Sequence, residues 1–264
     1  MISTATTLAW RNIWRHPRRT LLTIAAMVFA DTLLVFMLGL QFGQYRMMID
    51  NSLRVFSGQM QVQASGYHDE PHMHRSIAAA DKLAQAIRDN TRLDAVSTRG
   101  YGFALVSSET RTLGAQISGV DPWHEPRVST IPGLIKQGRY LEGTDSNEIV
   151  VGSILARNLR IEPGDELTIL GSGRDGSIAA TVTPVVGVFE SGSRDMDRHM
   201  LSMPLDTFRD VFSMGDHAHS IVIGGERDQS ERIAARASTA LQDRDALQLL
   251  DWETLMPGLK QAIQ

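Results

Sequence analysis

The stretch RRTLLTIAAMVFADTLLVFMLGL, residues 18–40, is apolar enough to cross a membrane and decides how the rest of the 264-residue chain is interpreted. Residues 21–40 hold eleven Leu, Ile, Val or Phe side chains, each favouring insertion by roughly 0.3–0.6 kcal/mol, against a cost of about 2.5–3.5 kcal/mol for the central Asp31. No small-x-small cleavage site follows Leu40, which favours an uncleaved anchor over a secretory signal peptide. We therefore predict a transmembrane helix over residues 20–43.

The flanking charges predict the orientation of this helix. Two arginines follow the apolar run closely, whereas four precede it: Arg11, Arg15, Arg18 and Arg19. The positive-inside rule then places the N-terminus in the cytoplasm and the chain after Gly43 outside. Trp10 and Trp14 lie one helical turn apart beside these arginines, so residues 1–19 are predicted to form an interfacial helix anchored by both tryptophans and the four arginines. A frayed N-terminus is the alternative.

Asp31 is the unusual residue of the membrane run, because its neighbours at helical spacing are all apolar. An intramembrane carboxylate usually faces a protein interior and pairs there. The pairs Ala26/Ala30 and Gly39/Gly43 have the small-xxx-small spacing that allows a second helix to approach closely. Together these residues predict packing against other membrane helices. The alternative is a protonated Asp31 tolerated in lipid.

The sequence after the predicted transmembrane helix is typical of a folded domain of the α+β class. Helical periodicity continues through residues 44–56 as a stalk. Strict alternation over 58–64 predicts a half-buried strand, with three glutamines on its polar side. An apolar stripe predicts a helix over 76–90 with Ser76 as its N-cap, and 93–119 predicts a long hairpin.

The later part is richer in strands. The residues 147–170 predict a strand, a short helix, a turn and a second strand. The same patterns predict strands over 181–192, 198–205, 219–225 and 246–251 and a helix over 230–243. The economical architecture is an α+β sandwich made from both ends of this part, with a mostly β subdomain inserted between them.

Composition and motifs argue against an enzyme and against nucleic-acid binding. A net charge of −4 lacks the basic surface that nucleic acids require, and the absence of cysteine excludes disulfides and thiolate chemistry. No Walker A, Rossmann, G-x-S-x-G or H-E-x-x-H motif is present, so we predict no catalytic, cofactor-binding or metal-binding residue in this chain.

Three segments hold weaker candidates for ligand binding. The histidine-rich HDEPHMH, residues 68–74, is interpreted as a solvated loop, with a metal site as the alternative. His217 and His219 beside Asp216 are a still weaker metal candidate. The glycine-rich GSGRDG, residues 171–176, joins two predicted strands, which favours a hairpin tip over a phosphate-binding loop.

The order of the segments resembles the MacB/LolE-type ABC transporter permeases, which carry an FtsX-like permease domain. LAWRNIWRHPRRTLLTIAAMVFADTLLVFMLGL resembles the family's interfacial helix and first membrane helix. ISGVDPWHEP (117–126), EIVVGSILARNLRIEPGDELTIL (148–170) and TPVVGVFESGSRDMD (183–197) resemble successive segments of its periplasmic core. DWETLMPGLKQAI (251–263) resembles the segment that leads into the second membrane helix.

The resemblance implies a bacterial inner-membrane permease with four membrane helices, whose periplasmic domain lies between the first and second. It implies a porter-like subdomain over 57–120 and 218–251, an inserted β-rich Sabre-like subdomain over 121–217, and a lead-in segment over 252–264. It also implies a homo- or heterodimer with a second permease, and a separate cytoplasmic ATPase that holds ATP and Mg. This chain would be an N-terminal portion, with Asp31 facing further helices or the dimer mate.

The lipoprotein-releasing branch of the family is the nearest, on the segments PVVGVFESG and DWETLMPGL. Its members extract lipoproteins from the membrane, and one subunit grips a periplasmic carrier through a hook that would lie near GSGRDG. The short tip with no apolar anchor argues against carrier binding here, so export without a carrier stays open. Two other classes also stay open: a single-span sensor or adaptor that binds a protein partner, and an envelope enzyme.

Overall fold

In the computed structural model, the described residues are 14–225, 227–242, 244 and 246–258, with the backbone alone described for 45–52 and 227. The chain divides into two compact units between Asp50 and Asn51. Most of the predicted interfacial helix, with Trp10 and Arg11, lies outside the described residues.

The main element of the first unit is one long helix, α1 (Pro17–Ser52). Its segment Pro17–Gln44 has the length and composition of a membrane span; its 28 residues reach about 42 Å, more than the roughly 30 Å hydrocarbon thickness. The hydroxyls of Thr23 and Thr32 donate to carbonyls one turn earlier, so neither adds an unpaired polar group to the span. Among the described residues, one N-terminal apolar helix long enough to span a membrane, followed by an α+β domain, is thus confirmed.

The second unit opens with a π-helical turn, Leu53–Ser57, and is built from strands and short helices. Its strands are β1 (Met60–Ala64), β2 (Val96–Ser107), β3 (Thr112–Val120), β4 (Ile135–Gly138), β5 (Ile149–Gly152), β6 (Glu166–Ser172), β7 (Ile178–Phe189), β8 (Met200–Pro204), β9 (Ser220–Ile223) and β10 (Leu247–Asp251). Its α-helices are α2 (Ala80–Thr91), α3 (Glu125–Val128), α4 (Ser153–Leu159), α5 (Arg194–His199), α6 (Leu205–Val211), α7 (Ser230–Thr239) and α8 (Trp252–Leu255), with 3-10 turns at Ile131–Leu134 and Arg227–Gln229.

The strands form one sheet in the order β10-β1-β9-β2-β3-β8-β5-β7-β4, while β6 pairs with both β2 and β7. Because β6 bridges these two strands, β2, β3, β8, β5, β7 and β6 form a closed ring of pairings. β9, β1 and β10 extend from β2 as an open part of the sheet. Most neighbours are antiparallel; β3–β8 and β5–β7 are parallel.

Three hydrophobic clusters stabilise these parts. The first joins the open strands to α2 and α7, through residues such as Val62, Leu83 and Ile233. The second fills the ring of strands and includes the inward-facing residues Ala104, Val106, Ala115 and Ile117 of the β2–β3 hairpin. The third lies against the outside of the ring, around Phe189. The subdomain bounds 57–120 with 218–251 and 121–217 stay a prediction, and the hairpin's far half shares the core of the ring.

Two local expectations were wrong. Ser76 is not the N-cap of α2, which begins at Ala80 after Ala79 with a φ of 49°; the Ser76 hydroxyl lies 3.0 Å from Nδ1 of His217 instead. The glutamine side of β1 is also buried rather than solvated. The amide nitrogen of Gln61 donates to the carbonyl of Ser57 and that of Gln63 donates to Gln61, so both buried side chains have a hydrogen-bond acceptor.

Candidate functional site

The π-turn that follows α1 is hydrogen-bonded along its whole length within the second unit. α1 is continuous to Ser52, and the π-turn Leu53–Ser57 closes with the Gly58 amide donating to the Leu53 carbonyl at 2.9 Å. The last carbonyls of a helix have no partner within the helix and must find donors elsewhere. Here the sheet domain supplies those donors.

The first two donors come from the loop after α3. The amide of Thr130 donates to the carbonyl of Arg54 at 2.9 Å, and the hydroxyl of Ser129 donates to the carbonyl of Val55 at 2.7 Å. The Ser129 hydroxyl also accepts from the amide of Ile131 at 3.2 Å, which holds the loop in place. The loop therefore clasps one side of the π-turn.

The other two donors come from strands. Nη1 of Arg99, on β2, donates to the carbonyl of Phe56, and Nε2 of Gln61, on β1, donates to the carbonyl of Ser57 at 2.8 Å. All five carbonyls of the π-turn thus accept a hydrogen bond. We call the four donating residues Gln61, Arg99, Ser129 and Thr130, together with Glu125, the helix-end clamp.

Arg99 is the centre of the clamp and is completely buried. Its guanidinium binds the buried carboxylate of Glu125 through two hydrogen bonds of 2.6 and 3.1 Å, and Ser97 donates to the same carboxylate at 3.0 Å. Burial lowers the pKa of Arg99, but the adjacent carboxylate of Glu125 outweighs this and raises the pKa of Arg99 above its ordinary value. The guanidinium also lies 4.1 Å from the ring centroid of Phe56, a cation–π contact.

A cation suits this position for a second reason. The C-terminal end of a helix carries a partial negative charge, so a guanidinium that binds a terminal carbonyl is electrostatically favourable there. Apolar packing adds to the polar bonds: Leu53 is buried, and Val55 and Phe56 pack against the hydrophobic cluster around Phe189. The π-turn is therefore held by hydrogen bonds, charge and packing together.

The chain leaves the sheet beside the point where it enters. β1 and β10 are antiparallel neighbours with Met60 opposite Asp251, and α8 (Trp252–Leu255) follows next to the π-turn. The Asp251 carboxylate accepts from the amide of Thr254 at 2.9 Å and caps α8. The segments that lead into and out of the sheet are therefore neighbours.

The predicted membrane-helix residues lie on the exposed surface of α1 in this single chain. The residues predicted for helix packing there are Ala26, Ala30, Asp31, Gly39 and Gly43, and no side-chain or other non-local atom lies within 4 Å of where a Cβ would sit at either glycine. Trp14, Arg15, Arg18 and Arg19 are exposed as well. Their roles in packing and interfacial anchoring stay predictions.

The weaker candidates from the sequence have structural roles. GSGRDG joins β6 to β7 as a hairpin turn, and the amide of Arg174 donates to the carbonyl of Phe212 at 2.8 Å, which folds the tip back onto the end of α6. The rings of His72 and His74 stack on an exposed loop, and the described residues contain no group of three or more side chains placed for a metal. His219 is buried and accepts from the amide of Tyr101 at 2.9 Å.

Sequence reasoning missed Arg99 and Glu125, because the two lie 26 positions apart and form no motif. One signal was available. Arg99 is a charged residue inside a segment predicted to be a strand of a long hairpin, where a charge requires a buried partner or an exposed face.

Comparisons with known proteins support the fold. A family model described as the MacB-like periplasmic core domain matches residues 20–243. The extracellular domain of the noncanonic ABC-type transporter YknZ from Gram-positive bacteria aligns with a TM-score of 0.55 at 12% identity, covering 74% of this chain and 100% of that one. The periplasmic region of MacB from Actinobacillus actinomycetemcomitans aligns with a TM-score of 0.55 at 16% identity, covering 79% and 94%. No curated protein matches the chain.

Proposed function

Because the chain belongs to the family of proteins with a MacB-like periplasmic core domain, we propose that it is a permease subunit whose membrane helix drives movements of that domain. ATP and Mg are held by a separate cytoplasmic ATPase subunit, and a second permease, identical or related, completes the assembly. The chain resides in a bacterial inner membrane with its N-terminus in the cytoplasm and its sheet domain in the periplasm. We expect no ATPase site in this chain, since its sequence contains no Walker A motif.

The observation that carries this proposal is the helix-end clamp. A membrane helix that ended in a flexible linker would move without moving the domain. Here α1 continues to Ser52 without interruption, and every carbonyl of the following π-turn is bonded. Displacement of the helix end therefore displaces β1, β2 and the loop after α3 with it.

For the substrate we propose a lipoprotein, on the segment resemblances described above. The folded-back tip after β6 supports release without a carrier gripped at that tip, since the tip is packed against Phe212 rather than extended. Reconstituted permease with its ATPase would be assayed for ATP-dependent release of an acylated lipoprotein from proteoliposomes. Release of unacylated peptides alone would replace lipoprotein by peptide as the substrate class.

The clamp is tested by separating ATP hydrolysis from transport. In the variant Arg99→Met/Glu125→Leu no buried charge is left unpaired, but the bond to the Phe56 carbonyl is lost. We expect ATP hydrolysis to continue while substrate moved per ATP falls by about 5- to 150-fold, the range that a coupling free energy of 1–3 kcal/mol gives. Arg209→Met/Asp81→Leu is the control, because it removes another buried arginine outside the clamp together with a carboxylate partner, and the carboxylates that Arg209 binds, Asp81 and Asp206, are solvent-exposed.

An unchanged ratio of transport to hydrolysis in the clamp variant would show that the junction does not carry the movement. If no ATPase associates with the full permease at all, the single-span sensor or adaptor becomes the better description.

A further inference from the structure

The register of the strands brings several chain segments together at one end of the sheet. Met60, the first residue of β1, lies opposite the last residues of β9 and β10. Val96, the first residue of β2, also lies opposite the last residue of β9, and Val120, the last residue of β3, lies opposite Arg99. We call this end, where β1 and β2 begin and β3, β9 and β10 finish, the entry end of the sheet.

Two of the segments that leave the sheet at the entry end carry a tryptophan. Trp123 follows β3, and its side chain is 67% exposed. Its amide donates to the carboxylate of Asp121 at 2.9 Å, which fixes the turn. Trp252 follows β10, is half-buried and is the first residue of α8, the helix that Asp251 caps. Short, hydrogen-bonded turns therefore hold both tryptophans at this end.

Cations accompany the two tryptophans. Arg54 lies in the π-turn and Arg127 lies in α3, and both side chains are exposed. The acidic residue that comes before each tryptophan is engaged in its own turn: Asp121 also binds Nδ1 of His124 at 2.5 Å, and Asp251 accepts from Thr254. A guanidinium is well suited to bind phosphate. The entry end thus presents both indole rings and guanidinium groups.

The chain itself keeps the entry end close to the membrane. The candidate span ends at Gln44, and α1 continues to the π-turn that begins at Leu53. Nine helical positions rise about 14 Å, and the headgroup layer is about 5–8 Å deep on each side of the hydrocarbon core. The β2–β3 turn lies further away by the 12 residues of β2, about 40 Å along the strand. The entry end is therefore the part of the sheet domain that headgroups can reach.

We propose that the entry end binds the phospholipid headgroups of the outer leaflet of the membrane that α1 crosses, with both tryptophans among the headgroups and both arginines on phosphates. Tryptophan is enriched at the two membrane–water boundaries, because its ring is apolar and its N–H is polar. Trp10 and Trp14 are predicted to lie at the inner boundary. All four tryptophans of the chain are then interfacial.

The surroundings of Trp123 favour lipid over a protein partner. Protein-binding sites are also enriched in Trp and Arg, but there these residues lie at the centre of a well-packed patch. Among the described residues of the entry end, Trp123 is the one large apolar side chain that is exposed. A single indole with charged neighbours is typical of a membrane-interface anchor.

Tryptophan fluorescence of the full chain in lipid nanodiscs tests the proposal. Replacement of the other three tryptophans by Phe leaves Trp123 as the sole emitter. Replacement of all four, with Glu109→Trp added, gives the matched control at an exposed position of the β2–β3 turn. We expect lipids brominated in the upper part of their acyl chains to reduce the emission of Trp123, and to leave the control unchanged. A chain that keeps Trp252 alone gives a second, independent measurement with the same expected loss of emission.

The arginines are tested in the chain that keeps Trp123 alone. We expect Arg54→Gln/Arg127→Gln to reduce the quenching by brominated lipid. Arg157→Gln/Arg160→Gln, at two exposed arginines beside α4, is the matched control and is expected to leave the quenching in place. Equal effects of the two pairs would overturn the phosphate contact.

Quenching of Trp123 and Trp252 no greater than that of the control overturns the proposal as a whole. It is equally overturned if Trp123 is shielded from aqueous iodide in native membranes but not in nanodiscs of pure lipid, since a protein partner would then cover it. The inference goes beyond the proposed function and requires only that α1 crosses a membrane. Because the assay measures lipid contact and not transport, either result can fail without the other.

Discussion

Arg99 and His219 are two buried ionisable residues that their surroundings hold in opposite charge states. Arg99 is kept charged by the carboxylate of Glu125. His219 is kept neutral: its Nδ1 accepts from the amide of Tyr101, its Nε2 donates to the carbonyl of Met73, and burial lowers its pKa to about 4. A proton added to His219 would sit on the nitrogen that already serves as an acceptor.

His219 therefore makes stability depend on pH. Between about pH 6.5, where the histidine of an unfolded chain titrates, and its native pKa of about 4, the unfolded state binds more protons than the native state. The contribution of His219 to the free energy of unfolding is present above pH 6.5 and falls as the pH drops, by up to about 3 kcal/mol.

Denaturant titrations across this pH range would measure the loss. His219→Gln, which can still accept from Tyr101 and donate to Met73, is expected to flatten the curve in this window. His72→Gln, at an exposed histidine, is the control and is expected to leave it in place. An equally steep curve in His219→Gln would assign the pH dependence to other groups.

The π-turn and the strand after it meet at Gly58, where the chain reverses into the sheet. Gly58 has a φ of 69°, and a Cβ placed there would lie 2.4 Å from Cγ1 of Val222. Gly176, in the β6–β7 turn, has a φ of 82° but open space around it. A comparison of the two glycines therefore separates the cost of the backbone conformation from the cost of close packing.

Gly176→Ala is expected to lower the free energy of unfolding by about 1–2 kcal/mol, the cost of a left-handed conformation with a Cβ. Gly58→Ala is expected to lower it by a further 1–3 kcal/mol or so, because the packing around β9 must also shift. Thermal or denaturant unfolding of the two variants measures the difference. Equal losses would show that Val222 moves aside at negligible cost.

At the level of elements, the long helices and every strand except the four-residue β4 were predictable from the sequence, because alternation in β2 and β3 and the apolar stripe of α7 extend over enough residues to be detected. The short helices α3, α5, α6 and α8 have seven residues or fewer, too few to show a helical period. The alternation of glutamines in β1 predicted that one side of the strand is solvated. The alternation does not indicate that Gln61 donates instead to the carbonyl of Ser57 in the π-turn. The clamp bonds of Arg99 and Ser129 were unpredictable because they are long-range, to carbonyls 43 and 74 positions away in the sequence.

Taken as a whole, the second unit begins before the first strand. Leu53 is buried, and Val55 and Phe56 pack on the cluster around Phe189. The second compact unit accordingly starts at Asn51. A protein cut at residue 57 would lose these contacts and leave Arg99 without its bond to Phe56. The stalk end is therefore part of the fold and not a spacer.

We accordingly expect a protein of residues 51–258 to unfold cooperatively and to be more stable than one of residues 57–258, by at least about 2 kcal/mol, the contribution of one fully buried apolar side chain. Denaturant midpoints of the two proteins measure this. A third protein of residues 45–258 is the control for added length, because residues 45–50 belong to the first unit. Identical midpoints for 51–258 and 57–258 would show that the π-turn contributes no stability.

The adjacency of β1 and β10 also bears on how such a domain evolves. Directly opposed residues of antiparallel strands such as Met60 and Asp251 have Cα atoms about 5 Å apart, so the whole sheet domain departs from and returns to nearly one point. Such a domain can be inserted or removed as one piece. It can be gained, lost or exchanged between related proteins through two breakpoints that are distant in the gene but adjacent in the fold, without altering the separation of the chain segments on either side. Divergence of the outer domain is thereby uncoupled from divergence of the membrane machinery.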